Sequence, residues 1–247
     1  MAISIIAGST GLIGRNVLEI LCNKQESVLA LTRRPISDLP KNANQLVIDF
    51  DTFEKNGSLP LCNHVFICLG TTIKKAGSKE NFRKVDIDYC LSIAKKAKES
   101  GAETLSLISS IGADSTSKNF YLRTKGELEE AIQELQFPVV NIFRPSFLVG
   151  QRSEKRLSEV VILKFAKIID VFLVGSASKY RSVKAELLAK TMVSRIDSKP
   201  GVNYFYSYYQ PPFFAYLFTL SRGGGEAHCS RLYINITSLT HQTKFGL

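Results

Sequence analysis

Short apolar runs recur along this chain, separated by stretches whose apolar residues fall three to four apart. The first run is Ile3-Ser4-Ile5-Ile6-Ala7, and residues 12–23 follow it with Val17, Leu18 and Leu21 on one face. Further runs at residues 28–32, 45–50, 64–69, 103–109 and 138–143 predict strands. The spacing predicts helices over residues 81–100, stopped by Gly101, and over 119–136. Strands alternating with helices predict an α/β fold, a doubly wound parallel sheet with helices on both faces and right-handed crossovers. In such a sheet ligands collect at the carboxyl ends of the strands. The polar clusters of this chain stand at those ends.

Beyond Gly150 the pattern weakens. Amphipathic helices are expected over residues 158–170 and 183–196, where they would shape a substrate cleft and complete one domain over residues 1–206. Residues 207–247 form a tail whose structure the pattern leaves open. Its apolar stretch, 213–220, is too short to span a bilayer.

The first strand ends in Gly8-Ser9-Thr10-Gly11-Leu12-Ile13-Gly14. Glycine at every third position between a strand and a helix is the pattern of a Rossmann-type dinucleotide site. Gly8 makes the tight turn, Gly11 lets the backbone approach a pyrophosphate, and Gly14 allows close packing of the helix. The helix N-terminus offers N–H groups and partial positive charge to the phosphates. About 20 residues further on, an NAD site carries an acid for the ribose 2′-hydroxyl. Here the second strand ends in Thr32-Arg33-Arg34 instead. A guanidinium matches a phosphate, so Arg33 and Arg34 point to a 2′-phosphate and to NADP (NADPH) as cofactor.

Composition changes this picture little. The 247 residues, 45% of them hydrophobic and 22% charged, suit one α/β domain. The opening strand leaves no room for a signal peptide, and no stretch reaches the length of a membrane span, so no membrane partner is expected. Five cysteines without a C-x-x-C pair fit free thiols in a reducing cytoplasm, and three histidines make a metal site unexpected. The net charge of +10 fits nucleic acid or an anionic cofactor equally. Its densest cluster, Lys74, Lys75, Lys79, Arg83 and Lys84, lacks interleaved aromatics and reads as a solvated face rather than a nucleic-acid surface.

Tyr121 and Lys125 are spaced Y-x-x-x-K, which places them on one face of a helix. An ammonium beside a tyrosine favours the phenolate and brings its proton exchange with a carbonyl or alcohol toward neutral pH. The lysine would also reach the nicotinamide ribose. Ser109-Ser110 ends the fifth strand, where a serine hydroxyl would hydrogen-bond the substrate oxygen.

Together these stretches resemble the atypical short-chain dehydrogenase/reductase superfamily, and within it the oxidoreductases related to the Tat-interacting protein and their bacterial NAD(P)H-binding relatives. The resemblance covers about residues 2–206. It is carried by Gly8 to Gly14, Cys68-Leu69-Gly70-Thr71-Thr72, Val85-Asp86-Ile87-Asp88-Tyr89, Ser109-Ser110-Ile111-Gly112-Ala113-Asp114, Tyr121 to Gly126 and Phe143-Arg144-Pro145. It implies an NADPH site and a catalytic set of Ser110, Tyr121 and Lys125, with Ser109 as the alternative hydroxyl. It also implies an adenine-side role for Asp49 and Phe50. Leu69, Gly70 and Thr71 would line the ribose and phosphate path, and Pro145 and Ser146 would lie by the nicotinamide. The expected function is NADPH-dependent reduction of a small-molecule carbonyl by a monomer or homodimer. The alternative is an NADPH-binding regulatory protein that acts through protein partners with little turnover.

Overall fold

A computed structural model describes residues 3–24, 26–149 and 182–206, together with the backbone of residues 219–220. The strands are β1 (Ile3–Ala7), β2 (Ser27–Thr32), β3 (Ala43–Val47), β4 (His64–Ile67), β5 (Thr104–Ile108), β6 (Val139–Arg144), β7 (Leu148–Val149), β8 (Val183–Lys184), β9 (Gly201–Tyr206) and β10 (Thr219–Leu220). The helices are α1 (Leu12–Asn23), α2 (Phe50–Asn56), α3 (Ile73–Ala76), α4 (Lys79–Arg83), α5 (Tyr89–Glu99), α6 (Phe120–Glu134) and α7 (Ala185–Ser194).

The main sheet runs β10-β9-β6-β5-β4-β1-β2-β3. Every pair from β9 to β3 is parallel, and only β10 is antiparallel, on β9. Strand order reverses between β4 and β1, so the ends of these two strands flank the switch point at which ligands bind in such sheets. β7 and β8 form a separate parallel pair. The doubly wound sheet expected from the alternating pattern is therefore present. The expected helix over residues 158–170 lies outside the described residues.

Each face of the sheet buries its own core, because successive side chains of a strand point to opposite sides. Ile5, Ala7, Val65, Ile67, Leu105, Leu107 and Ile142 pack against α2, α5 and α6 through Phe53, Ile93, Ala97, Leu128 and Ile132. Ile6, Val28, Phe66, Phe143 and Phe205 pack against α1 and α7 through Val17, Leu18, Leu21, Leu188 and Met192. His64 is buried within β4, hydrogen-bonded to Ser106 at 3.1 Å, and burial lowers its pKa to about 3. It is neutral and structural.

Two elements differ from expectation for identifiable reasons. The third strand, expected over 45–50, ends at Val47 because the Asp49 side chain accepts the Thr52 N–H at 2.9 Å and starts α2. Phe50 is thus the first residue of a helix, not the end of a strand. The expected helix over 81–100 is interrupted by a π turn, Lys84–Asp88, between α4 and α5. There the Tyr89 N–H reaches the Lys84 carbonyl, five residues back.

Gly126, within α6, offers a direct test of tertiary against local preference. A Cβ at this position would lie 2.1 Å from the Ser115 backbone nitrogen and 2.3 Å from the Asp114 carbonyl carbon. Helix propensity alone favours alanine over glycine by about 1 kcal/mol. The contact is with backbone and has no rotamer to escape into, so Gly126→Ala should instead destabilise the protein by about 1–3 kcal/mol. Urea denaturation gives the sign.

Candidate active site

The turn after β1 is built around absent side chains. Gly8 has φ +86°, and a Cβ there would sit 2.5 Å from the Cys68 carbonyl oxygen at the end of β4. A Cβ on Gly14 would sit 2.2 Å from the Gly8 carbonyl oxygen. Both positions are closed by the protein's own backbone, and Gly14 packs on the turn itself rather than on the strand. Gly11 differs. Its φ is −80°, and among the described residues a Cβ would meet only the Gly8 oxygen, at 3.2 Å. Packing leaves room on its outer side.

Gly11 is also the N-cap of α1. It supplies no capping side chain, and no acid stands in the first turn. The helix N-terminus, with Leu12 and Ile13 as its first residues, therefore keeps the unsatisfied N–H groups and partial positive charge that suit an anion. Ser9, buried in the turn beside exposed Thr10, has a hydroxyl with no hydrogen-bond partner among the described residues. The buried Thr32 hydroxyl at the end of neighbouring β2 has none either. An anion cradle open on one side and two orphaned hydroxyls beside it fit the phosphates of a dinucleotide.

A cavity of about 510 Å³ continues this path. Arg33, Asp49, Phe50, Thr71, Lys75, Lys84 and Tyr89 are among the residues that line it. Phe50 stacks on Tyr89 with ring centroids 5.1 Å apart. The Tyr89 hydroxyl donates to Asp51 at 2.6 Å, and Lys84 pairs with Asp51 at 2.7 Å. Arg33 and Arg34 are exposed and in no ion pair among the described residues; Arg33 lines the cavity and Arg34 does not. Leu69 and exposed Gly70 follow β4 and lead to Thr71.

The Tyr–Lys pair stands on α6. Lys125 is buried and paired with the fully buried Asp86 at 2.6 Å. The other Asp86 oxygen accepts the Thr71 N–H at 2.9 Å. Burial works to lower the Lys125 pKa, but Asp86 and then Tyr121 outweigh it, and the net shift is upward. Lys125 is a persistent cation. Tyr121 is half-buried, its ring 5.9 Å from that of Phe82, and its hydroxyl has no hydrogen-bond partner among the described residues. Asp86 stands in the π turn and was not anticipated as a site residue. The signal available was an acid inside an apolar helical stretch, Val85-Asp86-Ile87, where an unpaired charge cannot be buried.

Ser109 and Ser110 part company at the end of β5. The buried Ser109 hydroxyl donates to Glu129, which also accepts from Arg144, at 2.9 Å from Nε. Arg144 in turn donates to the Tyr206 hydroxyl at 3.1 Å and lies 4.7 Å over the Tyr204 ring. Burial acts against the Arg144 charge, but Glu129 raises its pKa overall. Ser109 is thus consumed by structure. Ser110, half-buried, donates among the described residues only a long 3.3 Å bond to the Ile111 carbonyl. Pro145 is buried after β6, and its carbonyl accepts the Ile111 N–H at 2.9 Å, which ties the Ser110 loop to the segment carrying half-buried Ser146. Among the described residues no cluster of metal-ligating groups occurs, and no helix is long and apolar enough to cross a membrane.

Comparison with known proteins bears on the family and the fold. A family described as NAD(P)H-binding matches residues 8–160. Protein FMP52, mitochondrial, of Debaryomyces hansenii is 39% identical over 205 residues, covering 79% of this chain and 87% of its own. Protein HTATIP2 of Rattus norvegicus is 36% identical over 166 residues, covering 65% of this chain and 68% of its own. Among solved structures, a UDP-glucose 4-epimerase of Thermotoga maritima superposes with TM-score 0.64 at 16% identity, over 82% of this chain and 75% of the epimerase. The human epimerase family protein SDR39U1, solved with NADPH, superposes with TM-score 0.58 at 14% identity, over 82% of this chain and 73% of its own.

The glycines generate a paired prediction. Gly11→Val should fold, with a melting temperature near that of the parent, and lose dinucleotide binding because its side chain fills the phosphate approach. Gly14→Ala should fail earlier, at the level of folding, because the new Cβ meets backbone. Circular dichroism melts with cofactor fluorescence titration separate the two failures, and a folded Gly11→Val that still binds places the phosphates elsewhere.

Proposed function

This chain belongs to the atypical short-chain dehydrogenase/reductase family of NAD(P)H-binding proteins, and we propose that it is an NADPH-dependent reductase of a small-molecule carbonyl. The observation that carries this reading is the Tyr121–Lys125–Asp86 arrangement. A tyrosine with an unengaged hydroxyl stands one helical turn from a buried, paired lysine, at the carboxyl edge of a sheet that carries an anion cradle.

The cofactor residues in this reading are Gly8 to Gly14 around the phosphates, Arg33 at the 2′-phosphate, Asp49 and Phe50 beside the adenine, and Leu69, Gly70 and Thr71 along the ribose. Pro145 and Ser146 flank the nicotinamide. Arg34 contributes charge rather than a contact. When bound, the reduced cofactor supplies a hydride. The chain's own residues supply the proton and the alignment. Ser110 donates a hydrogen bond to the carbonyl oxygen and holds it near Tyr121. The Tyr121 hydroxyl gives its proton to that oxygen as charge develops there. The Lys125 ammonium stabilises the negative charge that the tyrosine is left with, and holds the ribose by hydrogen bonding. All four described cysteines are free thiols, in keeping with a reducing compartment.

Two measurements test the reading. Calorimetric titration should show NADPH binding more tightly than NADH, and Arg33→Ala should remove about 1.5–3 kcal/mol of that preference, the range for a charge-assisted hydrogen bond. Equal affinities in the parent protein would remove the NADP assignment. On any carbonyl found in an aldehyde and ketone panel, Tyr121→Phe should lower kcat by about 10²–10⁴-fold while NADPH stays bound, and Ser110→Ala should lower the rate with little effect on NADPH affinity. NADPH binding without turnover across the panel would instead favour a regulatory protein.

A further inference from the structure

Asp86 touches two parts of the site at once. One carboxylate oxygen lies 2.6 Å from the Lys125 ammonium, and the other accepts the Thr71 N–H at 2.9 Å. Lys125 belongs to α6, and Thr71 belongs to the segment leaving β4 that lines the cofactor cavity. A Cβ on the intervening Gly70 would stand 3.5 Å from the same carboxylate and 3.8 Å from the Lys125 nitrogen. The carboxylate, the ammonium and the cofactor segment therefore meet with no spare layer between them. Asp86 is fully buried, and it stands in the π turn that interrupts the helix between α4 and α5. A π turn inserts one extra residue into the helical ladder and re-aims the side chains around it, and such turns recur at functional sites.

We propose that Asp86 is a positioning residue that holds Lys125 charged and aimed at the cofactor ribose while pinning the Gly70–Thr71 segment against the same ligand. The proposal rests on the NADPH-binding reading above and deepens it. Asp86 itself touches neither substrate nor reacting atoms; it acts through Lys125 and Thr71. Coupling the two through one carboxylate gives the binding segment and the lysine a single geometry.

The titratable groups facing Lys125 are Asp86 from the π turn, Cys90 from α5 and Tyr121 from α6 itself. Burial pushes the Cys90 thiol up to about 12, so it carries no charge at working pH. Asp86 is therefore the anion that offsets the burial of the lysine. The sign follows. With Asp86 present, the Lys125 pKa is raised and its charge persists throughout the neutral and mildly alkaline range. Without that anion, desolvation dominates and the lysine loses its proton as pH rises through that range.

Asp86→Asn keeps the shape and an acceptor for the Thr71 N–H but removes the charge. The chain has no tryptophan, so the enhancement of NADPH emission on binding can be followed over a low protein background. For the parent protein, NADPH affinity should change by less than about threefold between roughly pH 7 and 9.5. For Asp86→Asn it should weaken by about tenfold or more over the same span. Combining Asp86→Asn with Lys125→Met should abolish the new pH dependence, because the titrating group is gone. A flat profile in Asp86→Asn, or a slope that survives in the double variant, overturns the proposal and leaves the NADPH reading intact. A parent protein that binds no NADPH overturns both. If Asp86→Asn does not fold, the parent protein decides. Its Lys125 side-chain NMR signal, assigned by its loss in Lys125→Met, should titrate above the ordinary lysine range, and a midpoint at or below that range overturns the proposal.

Discussion

The structure turns on how closely the backbone of β1 approaches the end of β4. At Gly8 the chain swings into the left-handed region against the Cys68 carbonyl, and at Gly14 the start of α1 is pressed onto the same turn. No side chain of any size fits either contact. Because strand order reverses between β1 and β4, this close approach carries the N-terminus of α1 directly over the switch point. Everything else in the candidate site is arranged around that position. The orphaned Ser9 and Thr32 hydroxyls stand at adjacent strand ends, Arg33 lies beyond them, and the ends of β4, β5 and β6 present Thr71, Ser110 and Pro145 along the same edge.

Two buried carboxylates tie the other half of the site together, each through a cation. Asp86 meets Lys125 on α6, and Glu129 on α6 meets Arg144 at the end of β6. Burying a charge is tolerable only when it is paired, and removing one partner of such a pair typically costs about 3–5 kcal/mol. The pairs differ in what they leave free. Glu129 also takes the Ser109 hydroxyl, which leaves Ser110 as the outward-facing serine. Asp86 takes the Thr71 amide, which joins the lysine to the segment leaving β4. One helix thus carries the tyrosine, the lysine and the acid that sorts the two serines.

Much of this was legible along the chain. Short apolar runs and period-3.6 stretches are set by which residues water excludes, so the alternation of strands and helices, and with it the parallel sheet, follows from residue type and spacing. The glycine spacing, the Tyr121–Lys125 spacing and the arginines after β2 are local patterns of the same kind. They mark candidate residues at the ends of β1 and β2 and on one face of α6. The strand expected to end at Phe50 shows the limit. Whether Asp49 extends β3 or caps α2 depends on a hydrogen bond to Thr52 that hydropathy does not encode.

Only the tertiary structure decided which groups are spoken for. Neighbouring serines read alike in sequence, yet Ser109 points to Glu129 and Ser110 does not, because Glu129 on α6 and Arg144 at the end of β6 converge there. Asp86 reads as one more helical acid until folding places Lys125 and Thr71 against it. Gly126 reads as a weak point in a helix until the backbone of Asp114 and Ser115 is seen to occupy the space of its Cβ. The physical reason is common to all three. Periodicity records what a residue does with water, which is a property of that residue and its near neighbours. Pairing of buried charges and exclusion of a single methyl group are properties of atoms that only the finished fold brings together.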